Sequence, residues 1–140
     1  MATPEPLSAQ RWSDLLAAVH ERDVEALVAC FVPQGRWQNV PHDAWVGRET
    51  IASKLGPILL RSDRVQWDVV SESYSEHRAW LERVDRFWID GTEYSVRVNG
   101  VIEIDPSTGL IAELRDYSDL GEWRARLARA GDIWSRPADS

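Results

Sequence analysis

The hydrophobic repeat of this chain changes from mainly helical to strand-like near residue 65, and that change limits how the chain can be layered. From Ser8 to Phe31 the apolar residues Trp12, Leu15, Leu16, Val19, Val24, Leu27, Val28 and Phe31 return at steps of three and four, the repeat of helices with one buried face. His20-Glu21-Arg22-Asp23 interrupts the series and Asp23 has the side chain of an N-cap, so two consecutive helices are predicted. Pro33-Gln34-Gly35 reads as a turn, Arg36 to Val40 as a short strand, and Pro41-His42-Asp43 as a loop. Gly47 then precedes a third helix, roughly Arg48 to Leu60, with Ile51, Leu55, Ile58 and Leu59 on its apolar side and Gly56-Pro57 weakening its middle.

Beyond this point the period is two. Val65 to Ser73, Ala79 to Ile89, Glu93 to Asp105 and Leu110 to Ser118 alternate as strands do, with Asp90-Gly91 and Asp105-Pro106-Ser107-Thr108-Gly109 as the intervening turns. A last helix is predicted over Leu120 to Ala130. Helices first and an antiparallel meander second describe an α+β domain in which a curved, mainly antiparallel sheet wraps around helices. The 140 residues suffice for one such domain, placed at residues 8–130 between a tail at 1–7 and a polar tail at 131–140 that carries Trp134. Eight tryptophans favour a large apolar cavity or a subunit contact.

Sixteen basic against 23 acidic residues leave a formal charge of −7, and Lys54 is the only lysine. Without a basic cluster, neither nucleic acid nor an anionic membrane surface is an expected partner. Cys30 is the only cysteine, so no intrachain disulfide is expected, and its place in the run Ala26 to Phe31 reads as a buried, inert thiol. The opening Met1-Ala2-Thr3-Pro4-Glu5-Pro6 lacks the pattern of a secretory signal, and no apolar segment has bilayer length, so a cytoplasmic location is expected.

The chemistry stands out where the strand pattern breaks. Successive strand residues face opposite sides. One face of the third strand reads Leu81, Arg83, Asp85, Phe87, Ile89, apolar but for a guanidinium beside a carboxylate; the other reads Trp80, Glu82, Val84, Arg86, Trp88. On the last strand, Leu110, Ala112, Leu114 and Asp116 share a face, opposite Ile111, Glu113, Arg115 and Tyr117. Charges on a core face are costly to desolvate unless paired, and two carboxylates with one arginine from neighbouring strands satisfy one another. Such a group has a chemical use, because apolar surroundings can keep one aspartate protonated as an acid while the other stays ionised as a base. The same spacing also describes a fixed ion pair without chemistry. The outward Glu82, Arg86, Glu113 and Arg115 read as solvated or interface charges. His20, His42 and His77 have no second ligand at metal spacing, Ser13, Ser53 and Ser62 lack the context of a nucleophile, and no glycine-rich phosphate loop is present, so neither metal nor cofactor is expected.

Four segments, taken together, resemble the limonene-1,2-epoxide hydrolase family, a branch of the nuclear-transport-factor-2-like cone fold that also hosts ketosteroid isomerase. They are Trp37-Gln38-Asn39-Val40-Pro41, Gly47-Arg48-Glu49 opening a helix, Glu82-Arg83-Val84-Asp85, and Arg115-Asp116-Tyr117-Ser118-Asp119-Leu120. Glu-Arg-Val-Asp followed about thirty residues later by Arg-Asp-Tyr is the specific part. The resemblance implies one-step, cofactor-free hydrolysis of a hydrophobic, terpene-like or cyclic epoxide by a homodimer. Asp85 would be the acid, Asp116 the base activating water, Arg83 the link that holds both, and Asn39 the acceptor of the water's second hydrogen. Trp37 stands where the family carries a tyrosine that helps hold the water; an indole N–H donates but cannot accept. Ser118 and Ile102 stand where the family has bulkier aromatic residues, which implies an altered pocket. Leu81, Phe87, Val96, Val98 and Leu114 are the predicted apolar lining, and Trp80 and Trp88 suit a subunit contact on the outer face of the sheet. Other chemistries of this fold stay open at this stage: opening of an epoxide by an internal hydroxyl to a cyclic ether, isomerisation of a ketone, and binding of an apolar ligand without catalysis.

Overall fold

In the computed structural model, which describes residues 4–131, helices α1 (Leu7–His20) and α2 (Val24–Ala29) form where the three- and four-residue repeat places them. The Asp23 carboxylate accepts the Ala26 N–H at 3.0 Å and caps α2. Strand β1 (Phe31–Val40), the short β2 (Trp45–Val46) and helix α3 (Arg48–Arg61) follow, the last running through Pro57. Strands β3 (Arg64–Tyr74), β4 (Arg78–Ile89), β5 (Thr92–Ile104) and β6 (Ile111–Tyr117) form the meander, and α4 (Leu120–Leu127) continues as a turn of 3-10 helix, Ala128–Ala130. Helix α1 already starts at Leu7, inside the expected tail. Trp134 and the rest of the expected C-terminal tail beyond Gly131 lie outside the described residues.

The six strands make one mixed sheet in the order β2-β1-β6-β5-β4-β3, antiparallel throughout except where β1 runs parallel to β6. The α+β, mainly antiparallel architecture is therefore the one expected. Helix α1 packs against β3, β4 and β5, burying Trp12, Leu15 and Val19 between helix and sheet, while α3 packs over β1 and β2.

Three local readings are corrected. Pro33-Gln34-Gly35 is not a turn between elements but an irregular stretch inside β1: the pairing to β6 jumps from Phe31↔Ile111 to Arg36↔Glu113, which leaves the intervening residues bulged out of the ladder. A proline has no N–H to give a ladder, and a bulge accommodates it. In β6 the alternation slips at a shift in the pairing with β5 between Glu103 and Ile104, so Ile111, assigned outward, is fully buried. Finally, β4 and β6, expected to be neighbours, are separated by β5.

Candidate active site

Residues two apart on one strand share a face, so β4 presents Arg83 and Asp85 side by side on the inner surface of the sheet. The Arg83 Nε donates to Asp85 Oδ1 at 2.7 Å and Nη2 to Asp85 Oδ2 at 3.1 Å, a two-point fork. The same Nη2 donates to Asp116 Oδ2 at 2.7 Å on β6. One guanidinium thus bridges both carboxylates, and all three residues are buried, at 1%, 4% and 5% exposure for Arg83, Asp85 and Asp116. The rings of Trp67, on β3 opposite Asp85, and Trp12, on α1, lie 4.7 and 5.5 Å from the guanidinium carbon. These indoles favour the cation and keep water away from it.

Burial pushes the Asp85 carboxyl up to about 6, against the opposing charge and hydrogen bonds of Arg83 and with a smaller push from Asp116. For Arg83 burial alone would favour the neutral form, but the charges of Asp116 and Asp85 outweigh it and hold the group more firmly cationic than an ordinary arginine. A buried cluster of one cation and two carboxylates is neutral when one carboxyl keeps its proton, and the shift at Asp85 runs in that direction.

Asp85 and Asp116 open into a cavity of about 790 Å³. Phe87, Val96, Val98 and Ser118 line it as predicted, as do Trp37 and Asn39. Leu81 and Leu114 do not: each is buried one inward position deeper along its strand, in the core, and Ile102 is buried there as well. Arg83 itself does not reach the cavity surface and lies behind the two acids. Residues outside the predicted lining complete the wall, among them the apolar Trp45, Trp67, Leu55, Ile58, Trp123 and Leu127 and the polar His42, Asp43, Lys54 and Arg124. For Leu55 and Ile58 the signal was present, three apart on the apolar side of a helix that the sheet must cover.

Five aromatic rings form one continuous part of the wall. Trp37 stacks on Phe31 and Trp45 with ring centroids 5.9 and 6.3 Å apart, and meets Trp67 edge-on at 6.4 Å. Phe87 joins Trp67 at 6.4 Å to Trp123 at 5.5 Å. Asn39 is the parallel-ladder partner of Asp116, and Trp37 that of Leu114. Of the histidines, His42 lines the cavity while His20 Nε2 accepts the backbone N–H of Trp67 at 2.9 Å, a structural role. Burial raises the Cys30 thiol, whose Sγ contacts the Ala26 carbonyl at 3.4 Å. Among the described residues no three His, Cys, Asp or Glu side chains group to hold a metal, and no helix is long and apolar enough to cross a membrane.

The family model of the SnoaL-like domain matches residues 10–114. The chain belongs to this family. The match includes Arg83 and Asp85 and ends two residues before Asp116. No curated protein matches the chain. Among solved structures, this SnoaL-like domain is similar to an LEH-like epoxide hydrolase from M. tuberculosis, with 23% identity, 92% of this chain and 91% of that one covered, and a TM-score of 0.70. It is also similar to SalBIII, an epoxide hydrolase/cyclase-like enzyme in pyran ring formation in the polyether salinomycin, at 16% identity over 81% and 91% of the two chains with a TM-score of 0.70. A protein of unknown function with a cystatin-like fold from Methylobium petroleophilum matches at 18% identity over 80% and 75%, with a TM-score of 0.64. The SnoaL-like domain therefore has the cystatin-like cone fold, and hydrolases and cyclases are built on the same frame.

Proposed function

We propose that this SnoaL-like domain opens a hydrophobic cyclic epoxide with water, in one step and without a cofactor, to give a trans-diol. The observation that carries the reading is the pair of buried carboxylates bridged by Arg83 at the inner end of an aromatic-walled cavity. Opening an epoxide in one step requires a proton delivered to oxygen as the C–O bond breaks and a proton removed from water as the new C–O bond forms on the opposite face. Asp85, held toward its protonated form by burial, delivers the first. Asp116 takes the second, and Asn39, its ladder partner, accepts the water's other hydrogen and orients it. Afterwards Asp85 is ionised and Asp116 protonated, so the cluster's charge is unchanged and a single proton exchange resets it. Attack opposite the breaking bond makes the diol trans.

The cavity volume lies in the range that encloses drug-sized ligands, and its indole and phenyl faces suit ring systems. We place the working form as a homodimer formed through the outer face of the sheet, where Val70, Trp80 and Tyr117 are exposed.

The test is a panel of cyclic and aliphatic epoxides with the parent protein and with Asp85→Asn and Asp116→Asn. Each variant is expected to lose about 10²–10⁴-fold in turnover while keeping its circular dichroism. Near-parental turnover by either variant on an epoxide that the parent hydrolyses would refute the assignment. Trp37 favours a second reading, in which the same acid–base pair opens the epoxide with the substrate's own hydroxyl. With an indole N–H in place of a hydroxyl, the water has one acceptor fewer. A cyclic ether rather than a diol as product identifies that outcome.

A further inference from the structure

Arg83 and Asp116 stand on strands that do not touch. With β5 between them, β4 and β6 lie two strand spacings apart, roughly 9.5 Å, and the Arg83 side chain has to pass over the inner face of β5. That face reads Tyr94, Val96, Val98, Gly100, Ile102, Ile104, all buried, so one residue in an otherwise filled row has no side chain. Gly100 is paired with Leu81 on one side and with Asp116 on the other.

The backbone gives no reason for glycine here. The pairing is unbroken through Gly100 on both sides, and its φ is not in the left-handed region. Glycine in the interior of a strand is otherwise unfavourable. The space gives the reason. A Cβ built on Gly100 would overlap Arg83 Nη1 and stand 2.8 Å from Asp116 Oδ1, distances that carbon does not tolerate. Both atoms are buried and belong to groups whose other atoms, Nε and Nη2 of Arg83 and Oδ2 of Asp116, make the bridge, so neither group can swing aside without giving up that geometry.

We infer that Gly100 is a positioning residue of the acid–base cluster: the missing side chain at this one point of β5 lets the Arg83 guanidinium cross the strand and tie Asp85 to Asp116. The inference rests on the reading of those aspartates as acid and base. A methyl group at position 100 displaces the guanidinium toward Asp85 and breaks its bond to Asp116, leaving the pocket wall in place, because Gly100 does not line the cavity.

The experiment compares Gly100→Ala with the parent, with Arg83→Lys and with the double variant. The Asp85 carboxyl titration, followed by carbon NMR on aspartate-labelled protein, reads the cluster without any substrate. In Gly100→Ala the titration of Asp85 is expected to move by about one pH unit or more. On an epoxide that the parent opens, kcat is expected to fall at least about 100-fold with KM within about threefold. Lysine lacks Nη1, the nearer of the two atoms that a methyl group at position 100 would meet. Gly100→Ala should therefore lower the melting temperature by about 5 °C or more in the parent, and by less than half as much in the Arg83→Lys background. If Gly100→Ala fails to fold, the double variant should fold. An unchanged titration, or an equal loss of melting temperature in both backgrounds, would overturn the inference. If the parent opens no epoxide but the titration moves, the role of Gly100 stands and the assigned reaction falls; an active parent with an unmoved titration gives the reverse.

Discussion

At the scale of the residue, two effects compete at Asp85. Removal from water favours the neutral acid, the adjacent guanidinium favours the anion, and burial wins, which places the group at about 6 rather than in the ordinary carboxylate range. A general acid must carry its proton, so the sign of the pH dependence on the alkaline side follows: kcat/KM for the free protein should fall tenfold per unit as the pH rises above about 6, in a pH–rate profile. A profile that rises through pH 6 would assign Asp85 the opposite role. In stability terms the raised value means that folding takes up a proton, a contribution present at acid pH and lost as the pH climbs through about 6. The two acids and the arginine were legible in sequence because charge on an apolar strand face is rare and costly. Gly100 was not, because an absent side chain announces itself only when the path of another side chain is known.

At the scale of the element, alternation tells which face a residue takes but not how far down the cone it sits. That is why Phe87, Val96 and Val98 were found in the wall while Leu81 and Leu114, on the same faces, lie deeper in the core. The meander already implied that β5 stands between β4 and β6; what alternation could not show is that the Arg83 side chain spans β5 to reach Asp116. Arg83 is the one cation between the two acids, and its removal strands both. Arg83→Ala should therefore destabilise the fold by about 3–5 kcal/mol, seen as an earlier midpoint in urea with an unchanged m-value. A loss below about 1 kcal/mol would mean that the cluster is solvated and does not hold β4 to β6.

At the scale of the whole molecule, a six-stranded sheet covered by helices on its inner face leaves Val70, Trp80 and Tyr117 exposed outside, with Arg78 over the Trp80 ring at 5.6 Å. The proposed homodimer would cover them. Trp80→Glu is expected to convert the dimer to monomer in sedimentation analysis, while a parent that sediments as monomer would remove the proposal. The acid, the base and the bridging arginine all come from one chain, so each subunit of such a dimer would hold a complete set. The central claim is that water itself, activated by Asp116, attacks the epoxide as Asp85 protonates it. A single turnover of an epoxide in water carrying heavy oxygen tests this most directly: one labelled oxygen in the first diol formed, and none in the protein, is the predicted result. An unlabelled first diol, with the label left in an aspartate carboxylate, would contradict it.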